Sequence, residues 1–115
     1  MGKIKIEKKF FDLIKSGKKK YEFRKLEKGL TNGIYEVVSL DESVMYGHIE
    51  LKVEKLNPKL YSHYSYNNSP NWDRHIFIMI DDKRYYVNVD EYNFIKENYI
   101  DKKIDFVAYA VKVVE

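Results

Sequence analysis

Gly17-Lys18-Lys19-Lys20-Tyr21-Glu22-Phe23-Arg24 is the stretch on which the reading of this chain turns. It holds a helix-stopping glycine, three lysines, a carboxylate and an arginine. On its N-terminal side, Glu7 to Ser16 places Phe10, Phe11, Leu13 and Ile14 within an arc of roughly 160°. Lys8, Lys9, Asp12, Lys15 and Ser16 take the opposite side. That pattern predicts an amphipathic helix, and Gly17 suits the left-handed position just past its end. On the C-terminal side, Tyr21 to Lys25 reads as a strand. Tyr21 and Phe23 share one face, while Lys20, Glu22 and Arg24 share the other. Glu22 and Arg24 are then same-face neighbours about 7 Å apart along the strand. A helix-to-strand junction of this kind sets charged side chains at the mouth of a small β-barrel.

The rest of the chain is mostly strand. Ile4 to Ile6 is a short opening strand, Thr31-Asn32-Gly33 a turn, and Ile34 to Leu40 a β-rich run ended by Asp41-Glu42-Ser43. Val44 to Leu56 is the longest strand candidate, with Ile49, Leu51 and Val53 inward and His48, Glu50, Lys52 and Glu54 outward. Gly47 within it marks a bulge or a close backbone approach. After Asn57-Pro58 the character changes. Tyr61 to Trp72 sets four aromatics among small polar residues and reads as an ordered loop, with one helical turn near Pro58 to Tyr61. His75 to Ile80 and Arg84 to Val89 form a hairpin around Asp81-Asp82-Lys83. Asp90 caps a second helix whose Phe94, Ile95 and Tyr99 face the core. Ile104 to Val114 is apolar enough for a central closing strand. The expected fold class is α+β: a small mixed β-barrel of five to seven strands with two or three short helices, in one domain over residues 1–115.

Composition narrows the function. The chain has 115 residues, no cysteine, and a net charge of +3. Its length suffices for a core without staples, and no cysteine means no disulfide, thiol catalysis or thiolate metal site. No run reaches the length of a transmembrane helix and no apolar signal-peptide core follows the N-terminus, so no membrane partner is expected and a cytoplasmic location is. Residues 1–28 hold eleven Lys or Arg against four Asp or Glu, whereas the remaining 87 hold ten against fourteen. Positive charge therefore gathers around the first helix and the strand after it. His48, His63 and His75 show no ligand spacing, and no metal or other cofactor is expected. Neither a phosphate-cradling glycine loop nor a helix-turn-helix is present.

The spacing Gly-x-Lys-x-x-Glu-x-Arg from Gly17, preceded by Ile4-Lys5-Ile6 and Phe11-Asp12-Leu13-Ile14-Lys15-Ser16, resembles the signature of ASCH domains, a branch of the PUA-like superfamily. The resemblance continues through Ile34-Tyr35-Glu36-Val37-Val38 and Tyr46-Gly47-His48-Ile49-Glu50-Leu51. It thins after Asn57 and returns in Phe106-Val107-Ala108-Tyr109-Ala110-Val111, covering about half the chain. It implies a PUA-like barrel. In ASCH relatives the matching lysine, acidic or hydroxyl residue and arginine line a cleft against that barrel. Here the cleft would be basic, lined by Lys19, Glu22 and Arg24 with Lys18 and Lys20 beside it. Arg24 has the forked donors to grip phosphate, Lys19 is a point charge, and Glu22 can accept from an exocyclic amine.

The aromatic run is the second candidate. Tyr61, His63, Tyr64, Tyr66 and Trp72 are the ring types on which RNA readers stack unpaired bases, with Tyr64 and Trp72 the chosen ligand contacts. The same rings also serve to cover a barrel end.

Three functions fit. ASCH and related PUA-like domains are generally linked to RNA, translation or modified nucleotides, so the resemblance implies an RNA- or nucleotide-binding module. Some ASCH-like proteins are amidohydrolases on acylated cytidine, and others have been proposed as ribonucleases. In such a hydrolase Lys19 would be the nucleophile, activated by the cations around it, with Glu22 as acid–base partner. The amidohydrolase subgroup favours hydroxyl residues after the lysine, where Lys20 and Glu22 stand here. A protein-interaction domain using the loop around Trp72 is the third.

Overall fold

The helix-to-strand junction forms as its spacing demands. The structure, a computed structural model, describes the backbone of residues 2–66 and 72–115; the side chains of Ser65, Tyr66, Trp72 and Asp73 lie outside the described part. β1 (Gly2–Lys5) leads into α1 (Lys8–Lys15). At the end of α1 the Lys18 N–H donates to the Leu13 carbonyl and the Gly17 N–H to that of Ile14, both at 3.0 Å, with Gly17 at φ 79°. This paired helix stop needs a residue at ease in the left-handed region, which is why glycine stands there.

β2 (Tyr21–Lys25) follows, then a 3-10 turn (Leu26–Lys28), β3 (Gly33–Val38) and β4 (Met45–Leu56). β5 (Lys59–Tyr66), β6 (Trp72–Ile80) and β7 (Lys83–Tyr86) come next. α2 (Val89–Ile95) continues into a π-helical turn (Lys96–Ile100), and β8 (Phe106–Val114) closes the chain. Five strands form one sheet in the order β1-β3-β4-β8-β2, and the other three form a second, β5-β6-β7. β1 runs parallel to β3; every other pairing is antiparallel. The larger sheet curls into a half-barrel. Its two edges come close enough for Arg24 of β2 to donate to the Lys5 carbonyl of β1 at 2.7 Å.

β8 explains how two sheets share one molecule. Phe106, Val107, Ala108 and Tyr109 are buried in succession, as expected of a strand covered on both faces. Val107, Tyr109 and Val111 join Phe11 and Ile14 of α1, Val37, Ile49 and Leu51 in one core. Phe106 and Ala108 join Phe23, Ile78, Ile80, Ile95 and Tyr99 in the other. Alternation along one strand thus feeds α1 on one side and the smaller sheet with α2 on the other.

Several expectations need correction. The described residues form an α+β fold with eight strands, more than the five to seven expected: five make the curled half-barrel, compatible with a small mixed barrel, and three a separate sheet. The segment expected as a loop with a helical turn is instead β5, paired residue for residue with β6 as far as Tyr66 and Trp72. Its small polar residues suggested a loop. Yet Leu60, Ser62 and Tyr64 alternate with Tyr61 and His63, and tyrosine favours a pleated surface. Residues 67–71, also part of the expected loop, are outside the described residues. Asn88, not Asp90, caps α2, its side chain accepting from the Glu91 N–H. Ile95 and Tyr99 are buried as expected, but Phe94, a third of a turn from Ile95, is exposed. Phe10 and Val53 are also more exposed than their patterns suggested, Val53 standing just before a bulge in the β4–β8 pairing. Gly47 meets both expectations: the β3–β4 register shifts beside it, and a Cβ there would come within 2.9 Å of Phe11 Cζ. No described helix is long and apolar enough to cross a membrane.

Candidate functional site

The helix stop after α1 sets the direction of Lys19. Its own N–H shares the Leu13 carbonyl at 3.0 Å, the Lys20 N–H donates to the Tyr85 hydroxyl at 3.2 Å, and the Lys20 carbonyl accepts from Val111 at 3.0 Å. Tyr85 also meets Tyr21 edge to face, ring centroids 4.8 Å apart. The lysine loop is thereby pinned to both sheets, and only 10% of the Lys19 side chain is exposed.

Within this frame the Lys19 ammonium lies 3.2 Å from Glu91 Oε1 and 4.0 Å from Glu22 Oε2. Glu22, its side chain 12% exposed, accepts from Arg24 Nε through Oε1 at 3.2 Å. Arg24 Nη2 ends the series on the Lys5 carbonyl. The result is an unbroken series Glu91–Lys19–Glu22–Arg24–Lys5 that joins α2, the loop and both edges of the larger sheet. Burial strengthens the contacts of Lys19 and Glu22 relative to surface pairs and makes leaving either unpartnered costly, whereas the bond to the Lys5 carbonyl is exposed.

Glu91 was not foreseen from the sequence. It stands three residues after the Asn88 cap, where a glutamate ordinarily reaches back to the cap's own N–H. Here its carboxylate goes to Lys19 instead. Asn88-Val89-Asp90-Glu91 signals the helix start, but nothing local signals a partner 72 residues earlier.

Two phenols complete the surroundings. Tyr99 donates to the Phe23 carbonyl, between Glu22 and Arg24, at 3.3 Å. Burial raises its pKa above the ordinary tyrosine value, and Glu22 adds to this while Arg24 opposes it. Burial likewise raises Tyr85, partly opposed by the hydrogen bond from Lys20. Both remain hydroxyl groups at neutral pH.

Lys19, Glu22 and Arg24 are therefore brought together, but their setting is not the basic one expected. Two cations face two carboxylates, so the cluster is balanced in charge and alternates donors with acceptors. The nearest charged groups to Lys19 are carboxylates rather than the cations expected around it. Arg24 already spends Nε and one Nη2 donor, which takes up the side-on pair of donors expected for phosphate and leaves Nη1 and one Nη2 donor. Lys18 and Lys20 point into solvent. Tyr64 is exposed on β5, in register with Arg74, whose guanidinium lies over the Tyr92 ring at 5.2 Å. The Trp72 side chain is outside the described residues.

An open cleft of about 470 Å³ lies elsewhere, between residues 57–61 and 99–106. Tyr99 links it to the charged series, since it lines the cleft and bonds to the strand that carries Glu22 and Arg24. Among the described residues, no three His, Asp or Glu side chains gather as a metal site would require. Compared with known protein families, with curated proteins and with solved structures, the chain matches none.

Proposed function

We propose that this chain is an ASCH-type, PUA-like domain that binds RNA or a nucleotide at Lys19, Glu22 and Arg24, with Glu91 as a fourth member. The observation that supports this reading is the partly buried series Glu91–Lys19–Glu22–Arg24. A set of alternating donors and acceptors suits the edge of a nucleobase, which itself alternates N–H and C=O groups, better than it suits a lone phosphate. Glu22 accepts from a ring N–H or exocyclic amine, and Lys19 donates to a ring carbonyl. The solvent-facing Lys18 and Lys20 then meet the phosphate of the same nucleotide.

A hydrolytic reading uses the same groups, with Lys19 as nucleophile and Glu22 as acid–base partner. The neighbours of Lys19 weigh against it: Glu91 at 3.2 Å and Glu22 at 4.0 Å are carboxylates, not the cations expected to activate the amine. Lys20 and Glu22 still stand where the amidohydrolase subgroup has hydroxyl residues. The test is calorimetric titration of nucleosides and nucleoside monophosphates, modified cytidines included, with mass spectrometry of each mixture. Glu22→Gln is expected to weaken nucleoside binding roughly tenfold, the loss of one good base-edge contact. Lys18→Ala/Lys20→Ala is expected to weaken only the monophosphates. Product that vanishes in Lys19→Ala would replace binding with hydrolysis.

A further inference from the structure

The smaller sheet has an outward face that the charged site does not use. Its inner face sends Leu60, Ile78, Ile80 and Tyr85 into the second core. On the outer face, register sets Tyr61 opposite Phe77 and Phe77 opposite Tyr86, one ring from each strand. Tyr61 stacks on Phe77 at 5.2 Å and 17°, and Tyr86 meets Phe77 at 5.7 Å. Phe77, covered by its neighbours, is 5% exposed, whereas Tyr61 is 41% and Tyr86 59% exposed. One row along, Lys59 and Arg84 flank Met79, and the Arg84 guanidinium lies 4.9 Å over the Phe77 ring. In the row on the other side His63 stacks on His75 at 5.0 Å.

Charge selects the occupant. Among the residues whose side chains are described, Lys59 and Arg84 are the charged groups of this face; Asp73, in register with Ser65, falls two rows beyond Phe77 at the far end of β6. Neither cation has an ion-pair partner among the described residues. Of the adjoining turn's acids, Asp81 pairs with Lys55 at 3.8 Å. Open tyrosine rings interleaved with unpaired cations match a polyanion that also has flat faces to stack. A duplex hides those faces; a single strand offers them. Rings on outer strands stand about 10 Å apart, two strand spacings, and the cations lie about 7 Å along the strands, within one nucleotide's span. We propose that the outer face of β5-β6-β7 is a second nucleic-acid surface, which stacks unpaired bases on Tyr61 and Tyr86 and holds their phosphates with Lys59 and Arg84. It shares a ligand class with the proposed function but none of its residues, so each survives or fails separately.

The test is fluorescence anisotropy with labelled oligouridylate, oligothymidylate and an RNA duplex, at about 50 mM and about 200 mM salt. Wild type is expected to bind the single strands more tightly than the duplex, and more weakly at the higher salt. Tyr61→Leu/Tyr86→Leu, which keeps apolar cover over Phe77, is expected to lose roughly tenfold per ring, while Tyr61→Phe/Tyr86→Phe stays within about twofold. Lys3→Ala, which removes an exposed lysine from the edge strand of the larger sheet, is expected to leave oligouridylate binding within about twofold of wild type. Duplex binding as tight as single-strand binding would overturn the proposal. So would a leucine variant that binds like wild type, or a loss in Lys3→Ala as large as that in the leucine variant. Failure of both single strands to bind, or a wild-type dimer in sedimentation that the leucine variant dissolves, would overturn it as well. Should the leucine variant not fold, photocrosslinking of iodouridine oligonucleotides to wild type decides. Crosslinks at Tyr61, His63 or Tyr86 support the surface, and crosslinks confined elsewhere remove it.

Discussion

Arg24 carries two duties at once, and separating them is the first task at the residue scale. Its guanidinium joins Glu22 to the Lys5 carbonyl, and so ties the two edges of a curled sheet. Lysine cannot serve both acceptors from one point, so Arg24→Lys is expected to cost roughly 1–3 kcal/mol, read as a lower urea midpoint. Lys19 and Glu91 are similarly coupled across the fold. A double-mutant cycle with Lys19→Met and Glu91→Gln should give an interaction of about 0.5–3 kcal/mol, and a value near zero would remove Glu91 from the series. Asp41 shows how a small group reports local order. Hydrogen bonds from Ser43 and Ser39 lower its pKa from 3.8 to about 2. Because the folded value is depressed, its contribution to the β3–β4 turn is present above pH 3.8 and lost as pH falls through about 2. A carbon-detected NMR titration should place the midpoint near 2, and Ser39→Ala/Ser43→Ala should return it toward 3.8. Lys19, Glu22 and Arg24 were legible as a group because their proximity is local, set by one helix stop and the two-residue repeat of a strand. Glu91 was not, because its approach depends on where α2 docks.

At the scale of elements, steric fit decides more than propensity. Gly47 allows α1 to lie against β4, where an added Cβ would meet Phe11 Cζ at 2.9 Å. Gly47→Ala should destabilise by roughly 1–3 kcal/mol in chemical denaturation. Pairing it with Phe11→Leu should recover part of that loss, which a purely backbone effect would not allow. The helix, its glycine stop, the strand after it and the strands of the larger sheet could all be read from periodicity and turn residues, because each buries one clean face. β5 could not. Its serines and its neighbouring Asn and Pro residues mimic a loop, and its strand character depends on β6 pairing beside it. Phe94 misled for a related reason: it looks like a core residue beside Ile95, but its direction leads out of the second core.

The whole molecule depends on β8. One strand supplies alternate side chains to two cores, so neither core can dissolve without releasing the other. Ile49→Ala in the first and Ile78→Ala in the second should each cost about 2–5 kcal/mol, within a single unfolding transition seen alike by circular dichroism and tyrosine fluorescence. Two separated transitions would mean the sheets unfold independently. The half-barrel also gives the site its form: β2, at one edge of the larger sheet, meets α2 and the end of β1 only because that sheet curls. The most direct test is therefore calorimetric titration of nucleosides into wild type and Glu22→Gln, with folding of both verified by their unfolding midpoints. Saturable nucleoside binding that falls roughly tenfold in Glu22→Gln is the expected result. Absence of nucleoside binding to wild type, or equal binding by a folded Glu22→Gln, would contradict it and leave the charged series as a clasp between the edges of the curled sheet.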